Sequence, residues 1–92
     1  MRILHDPATH RFVIHAPEGN GELLYSLRQP GVMDFYHIGV DERVRHRGMG
    51  SALVGAAFQY AREHGKKVVP SSVYVRYWLE QHPEARDTLI PM

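Results

Sequence analysis

The sequence changes its hydrophobic period near Gly50, and this change constrains the fold more than any other feature. Beyond Gly50, apolar side chains recur at helical spacing while polar side chains occupy the opposite face. The apolar positions are Leu53, Val54, Ala57, Phe58 and Ala61. Gly65 predicts the end of this helix, because glycine readily adopts the left-handed conformation that ends many helices. We therefore expect an amphipathic helix that packs on a sheet.

The first forty residues instead indicate short strands separated by turns. The predicted strands are 2–5, 10–16, 22–28 and 32–40, and the turns between them are 6–9, 17–21 and 29–31. Proline and glycine mark these turns, since proline presets φ and glycine tolerates positive φ. Connections this short favour an antiparallel meander of four strands.

Two further elements are predicted after the long helix. The apolar segment 68–70 is a short strand that its own proline ends. Ser71 or Ser72 caps a second helix, and Pro83 stops it because the residue before a proline disfavours helical backbone angles. This helix carries three aromatic side chains on one face: Tyr74, Tyr77 and Trp78. The order β-β-β-β-α-β-α predicts an α+β (mixed α/β) fold, with the fourth and fifth strands parallel through a right-handed crossover.

The composition excludes several kinds of functional site. We expect one domain spanning 1–92, because the chain has only 92 residues. Eleven basic and ten acidic side chains give a net charge of +1, which favours neither nucleic acid nor a membrane as partner. Cysteine is absent, which excludes disulfides, thiolate zinc sites and cysteine nucleophiles. The histidine spacing predicts no metal site, and the lack of a signal peptide or a membrane-length apolar stretch predicts a cytoplasmic protein.

The loop between the fourth strand and the long helix contains most of the residues that suggest a binding site. It reads Arg45, His46, Arg47, Gly48, Met49, Gly50 and Ser51. A helix N-terminus offers unpaired N–H groups and a positive dipole end, and glycines let a phosphate approach the backbone closely. Alternatively, the glycines only form a tight loop and the arginines are solvated. The strand before, the helix after and the flanking arginines together favour anion binding, although the spacing fits neither a Walker loop nor a dinucleotide fingerprint.

The loop resembles the R/Q-x-x-G-x-G/A motif of GNAT (GCN5-related) acetyltransferases. The similarity extends over about 23–84, to a small subfamily of single-domain GNAT-like proteins, through the histidine-containing strand 34–40 and the Val-Val-Pro segment 68–75. The resemblance implies a minimal GNAT fold whose fourth and fifth strands splay around acetyl-CoA. It also implies that loop residues 45–51 hold the pyrophosphate, and that backbone near Ile38 and Val40 pairs with the pantetheine arm.

The resemblance implies transfer of an acetyl group to an amine acceptor by direct attack. This reaction needs a base, a donor to the carbonyl oxygen and a proton for the thiolate. The candidates are His37 as base, a backbone amide near Val40 as donor and Tyr74 as acid. His37 and Tyr74 each have a structural alternative. His37 could be a strand-end residue with its hydrogen bonds formed within the protein, and Tyr74 a core aromatic beside Trp78. Ser72 is interpreted as a helix cap first and a site-lining residue second.

Three departures from the related proteins leave other functions open. Subfamily members often carry a cysteine, a suspected acetyl carrier, where this chain has Ser72, and a serine without a positioned base is a poor nucleophile. Ile38 and Gly39 replace polar residues that follow the histidine in many members. The chain also lacks helices that wall the acceptor site in longer GNAT enzymes. The alternatives are a CoA-binding module with little or no transfer and, less favoured, a nucleic-acid-binding domain that uses the basic loop. The expected partners are acetyl-CoA and an unidentified amine or peptide acceptor, bound by a monomer or weak homodimer.

Overall fold

The structure, a computed structural model, describes residues 2–45 and 48–91. In chain order the elements are β1 (Ile3–Asp6), β2 (Arg11–Ala16), β3 (Gly19–Gln29), β4 (Val32–Val40), a 3-10 turn (Glu42–Val44), α1 (Met49–Glu63), β5 (Lys67–Val69), α2 (Val73–Gln81) and a second 3-10 helix (Pro83–Thr88). The predicted order of strands and helices is confirmed. The last segment, for which no element is predicted, adds the second 3-10 helix.

The five strands form one sheet in the order β1-β2-β3-β4-β5. Strands β1 to β4 pair antiparallel with their neighbours, and β5 pairs parallel with β4. Both the meander and the parallel fourth and fifth strands are therefore confirmed. The parallel pairing runs only from Val32 to Asp34 of β4, after which the Ser72 N–H donates to the Phe35 carbonyl at 2.9 Å. Beyond this point β4 continues to Val40 while the chain turns away into α2.

One predicted turn is partly wrong. Strand β3 begins at Gly19, so Ala16 pairs with Gly19 and the hairpin turns within Pro17 and Glu18 rather than across 17–21. The cause lies at the end of β4. The Asn20 N–H donates to the Asp41 carboxylate at 2.7 Å, and the Asp41 N–H donates to the Asn20 carbonyl at 2.8 Å. These bonds hold the glycine-rich stretch in an extended conformation. Its local preferences alone would favour a loop.

The apolar face of α1 covers one face of the sheet. Its predicted residues are all buried: Leu53, Val54, Ala57, Phe58 and Ala61. Beneath them lie Ile14, Leu23, Met33 and Phe35, among the largest fully buried side chains. Gly65 follows the helix with φ of 64°, which confirms the predicted end. Neither this helix nor the shorter α2 is long and apolar enough to cross a membrane, and the same holds for every helix in the described part of the chain.

Helix α2 packs beside α1 through a narrow apolar face. Val75, Trp78 and Leu79 are buried, and the Trp78 ring stacks on Phe58 with centroids 5.3 Å apart. Tyr74 and Tyr77 share the spacing of Trp78 but are 38% and 58% exposed. The alternative that placed Tyr74 in the core beside Trp78 is therefore wrong. The reason is that only one side of α2, which carries Val75, Trp78 and Leu79, meets the core.

Candidate functional site

A β-bulge in β4 determines which of its side chains reach the site. Leu24 of β3 pairs with His37, but the next residue, Tyr25, pairs with Phe35. Tyr36 is thus an extra residue on β4. Side chains alternate between the two faces of a strand, so one extra residue reverses the faces for everything that follows. This irregularity is not predicted from the sequence.

The bulge places His37 on the face of the sheet opposite α1. Phe35 is buried under α1 before the bulge, whereas Ile38 and Val40 pack against the same core after it. His37 and Gly39 consequently project from the other face, where the His37 side chain is exposed. A Cβ added at Gly39 would lie 3.2 Å from His37 Nε2, so the two residues are in direct contact.

A cavity of about 620 Å³ opens between the end of β4, the start of α1 and α2. The residues that line it are His37, Ile38, Gly39, Val40, Val44, Arg45, Gly48, Met49, Gly50 and Tyr74. The cavity thus brings together two predicted catalytic residues and six predicted cofactor-binding residues. Ser51 and Ser72 are not among the lining residues. The predicted ligands His46 and Arg47 lie outside the described residues.

The loop ahead of α1 presents backbone donors to this cavity. Gly48 caps the helix with φ of 80°, a left-handed conformation that favours glycine, and a Cβ there would meet no atom of the described residues within 4 Å. A glycine cap supplies no side-chain acceptor, so the first N–H groups of α1 have no side-chain cap. Buried Val44 anchors the loop from below, and the exposed Arg45 side chain adds positive charge. This arrangement suits an anion such as a phosphate.

The Tyr74 ring lies against the backbone of Gly50. A Cβ at Gly50 would be 3.0 Å from both Cζ and the hydroxyl oxygen of Tyr74, closer than ordinary contacts allow. A side chain at position 50 would therefore crowd the Tyr74 ring in its present position. Burial raises the pKa of the Tyr74 hydroxyl, and the neighbouring Tyr77 raises it further. The group stays protonated at neutral pH and can donate a proton.

The two predicted site serines form hydrogen bonds within the protein. The Ser51 hydroxyl accepts from Trp78 Nε1 at 3.1 Å, and the Ser72 hydroxyl accepts from the Val75 N–H at 3.4 Å. Ser72 is buried, and the prediction of a helix cap at Ser71 or Ser72 is confirmed for Ser72.

Sequence reasoning missed two residues that line the cavity. Val44 is an apolar residue between two arginines, and that pattern is a signal for a buried anchor. Gly39 is a glycine inside a strand, and such a residue often marks a close approach. The cavity places the N-terminal end of α1 beside two side chains with exchangeable protons, His37 and Tyr74. No cluster of metal-binding side chains occurs within 2–45 and 48–91.

The comparisons with known proteins identify the family and the fold. The family model of GCN5-related N-acetyl-transferases matches residues 11–88. The fold is similar to the NMR solution structure of a GCN5-like protein from Staphylococcus aureus, with a TM-score of 0.74 at 21% identity. That similarity covers 99% of this chain and 89% of the other. No curated protein matches the sequence. The family match spans the strand, the loop and both helices that form the cavity.

Proposed function

Because the chain belongs to the GCN5-related N-acetyltransferase family, we propose that it transfers acetyl from acetyl-CoA to a primary amine by direct attack on the thioester. The observation that carries the proposal is the single cavity that joins the glycine loop to His37 and Tyr74. A covalent cysteine intermediate is not part of the proposal, since the chain contains no cysteine.

The described residues fit acetyl-CoA in two respects. The open space over Gly48 and the N–H groups at the start of α1 suit a pyrophosphate, with Arg45 and, by proposal, His46 and Arg47 adding charge. Strand β4 makes its last hydrogen bond to the connection before α2 at Phe35. From there to Val40, β4 does not pair with β5. Its backbone there, at Ile38 and Val40, is available to pair with an extended amide chain. Bound acetyl-CoA supplies the thioester that is consumed.

The chemistry needs three groups of this chain. His37 accepts a proton from the acceptor ammonium, which frees the nitrogen lone pair for attack. A backbone amide near Val40 stabilises the developing oxyanion while the N–C bond forms and the C–S bond breaks. Tyr74 donates its proton to the departing thiolate, the second proton of the newly bonded nitrogen leaves to solvent, and solvent returns a proton to the tyrosine. In this proposal Ser72 acts through the helix cap, which orients the first turn of α2 and with it Tyr74.

A second function follows from one observation. The His37 side chain is exposed on the sheet face opposite α1, so the acceptor side of the site is open. An open acceptor side suits a CoA-binding module with little or no transfer. Turnover with any amine separates this alternative from the transferase.

Calorimetric titration with acetyl-CoA tests the cofactor site. Gly48→Ala places a methyl group in the space proposed for the pyrophosphate. Gly31→Ala is the matched control, because Gly31 also has positive φ (82°) and open space around its Cβ but does not line the cavity. We expect both variants to lose similar stability, and Gly48→Ala alone to weaken binding by about tenfold or more, roughly 1.4 kcal/mol. Equal affinity of the two variants for acetyl-CoA would refute the loop assignment.

A further inference from the structure

Strand β1 is an edge of the sheet, at the opposite end from the cavity that His37 and Tyr74 line. It borders β2 on one side, and no other strand of the described chain pairs with its outer side. Many sheets protect such an edge with a proline, a lysine or a β-bulge within the strand. None of these occurs in Ile3–Asp6, whose register with β2 is regular throughout. The backbone groups that point outward from β1 are therefore available to another strand.

The side chains of this edge divide between the two faces of the sheet. Ile3 packs against the core beneath α1, and His5 shares its face because side chains alternate along a strand. Leu4 lies on the opposite, open face and is 43% exposed. Asp6 and, directly before the strand, Arg2 follow the same alternation as Leu4. The open face of the edge thus carries an apolar residue between two opposite charges.

Both charged groups are accessible on this face. Arg2 is exposed. The Asp6 side chain is 38% exposed, and its Oδ2 lies 3.9 Å from Arg11 Nε. A hydrogen bond with Thr9 lowers the pKa of the Asp6 carboxyl, so the group is ionised at neutral pH. A partner chain can therefore reach a cation at one end of the edge and an anion at the other.

One antiparallel register of two β1 strands matches these side chains. When Leu4 lies opposite the partner's Leu4, Arg2 lies opposite the partner's Asp6, and Ile3 lies opposite the partner's His5. Opposite charges that face each other across two strands are favourable. A shift of two residues in either direction instead places Leu4 opposite a charged group. A shift of one residue brings core-facing side chains opposite those of the open face.

We propose that β1 pairs antiparallel with β1 of a second copy of this chain, in the register centred on Leu4, and so joins two sheets into one. The interface is symmetric, so the pair of Arg2 with the partner's Asp6 occurs twice. Because the strand is short and exposed ion pairs contribute little each, the dimer is weak and forms at high protein concentration. The cavity lies at the other end of the sheet and stays outside the interface. The inference is therefore independent of the proposed function.

Sedimentation velocity over a protein concentration series up to about 1 mM tests the dimer. We expect reversible dimerisation of the wild type. Arg2→Glu brings two carboxylates together at each end of the interface, and Asp6→Arg brings two guanidinium groups together, so each should raise the dimer Kd by about tenfold or more. An equimolar mixture of these two variants should dimerise again, because each chain then meets the opposite charge on the other. A monomeric wild type at every concentration, a dimer that neither variant weakens, or a mixture that stays monomeric overturns the inference.

Leu4→Lys is a second disrupting variant, which serves if Asp6→Arg does not fold without the hydrogen bond to Thr9. It brings two ammonium groups together at the centre of the interface and should also weaken the dimer. Leu27→Lys is the matched control, because Leu27 is 55% exposed but lies on β3 rather than on the edge strand. Circular dichroism verifies that each variant is folded. Equal dimerisation of folded Leu4→Lys and Leu27→Lys overturns the inference.

Discussion

Trp78 Nε1 donates a hydrogen bond of 3.1 Å to the Ser51 hydroxyl, and this bond joins α2 to the first turn of α1. The indole also stacks on His82 with centroids 4.0 Å apart, so it is held on two sides. The position of Tyr74, four residues earlier on α2, depends on the same attachment. Ser51, assigned to the phosphate loop by its sequence position, thus also sets the distance between the loop and α2.

We predict that Ser51→Ala lowers the free energy of unfolding by about 1 kcal/mol, because the partly buried indole N–H loses its partner. Urea denaturation of Ser51→Ala, Trp78→Phe and the double variant measures the coupling between the two side chains. The expected coupling is about 1 kcal/mol. Strict additivity of the two single effects would show that the bond contributes nothing to stability.

A methyl group at Gly50 should displace Tyr74. In Gly50→Ala the new Cβ would lie 3.0 Å from the tyrosine hydroxyl, whereas in Gly55→Ala it would lie 3.7 Å from Trp78 Cζ2, an ordinary contact. Both changes replace glycine in α1, so Gly55→Ala serves as the control and should raise stability by about 0.5–1 kcal/mol. Gly50→Ala should gain less and should reduce the kcat of transfer. Equal stability gains with unchanged kcat would contradict the close packing of Tyr74 on Gly50.

Ser72→Ala should act on stability rather than on chemistry. The hydroxyl caps α2 through the Val75 N–H, and loss of such a cap costs roughly 1 kcal/mol. Thermal denaturation should show a lower Tm for Ser72→Ala, whereas the neighbouring Ser71→Ala should be near neutral. The kcat per folded molecule should be unchanged in both. A large fall in kcat without a fall in Tm would instead indicate a catalytic role for Ser72.

The free energy of unfolding should decrease as the pH is lowered, and His5 is the expected cause. Its ring stacks on Phe12 with centroids 4.3 Å apart, and Nε2 shares a 2.7 Å hydrogen bond with the Tyr25 hydroxyl. Burial lowers the pKa of His5 below 6.5, the nearby His64 and His10 lower it further, and Asp6 opposes them. The unfolded chain then binds the proton first, so stability present above pH 6.5 is lost as the pH falls below that value.

Urea denaturation between pH 7.5 and 5 measures this loss. His5→Gln, which retains a hydrogen-bonding group near Tyr25, should flatten the dependence on pH. His15→Gln, at an exposed position on β2, is the control and should leave it unchanged. An identical pH dependence in wild type and His5→Gln would remove His5 as the cause.

Much of the fold follows from local patterns in the sequence. The spacing of Leu53, Phe58 and Ala61 identifies α1 because a helix must bury one stripe, and Gly65 ends it by accepting positive φ. The position of the glycine loop between β4 and α1 is equally predictable from the sequence, whereas its role in binding a cofactor stays a prediction. The start of β3 is missed because Asp41, distant in sequence, supplies the bonds that hold Asn20 extended.

The sequence by itself therefore determined the order of the strands and α-helices and the loop between β4 and α1, because these depend on residues close together in the chain. Only the tertiary structure decided which side chains meet in the site. The extra residue Tyr36 turns His37 to the face of the sheet opposite α1, and this follows from pairing with β3 rather than from any preference of β4. Gly50 likewise acquires its role from contact with Tyr74. Such relationships join residues far apart in sequence, and packing creates them.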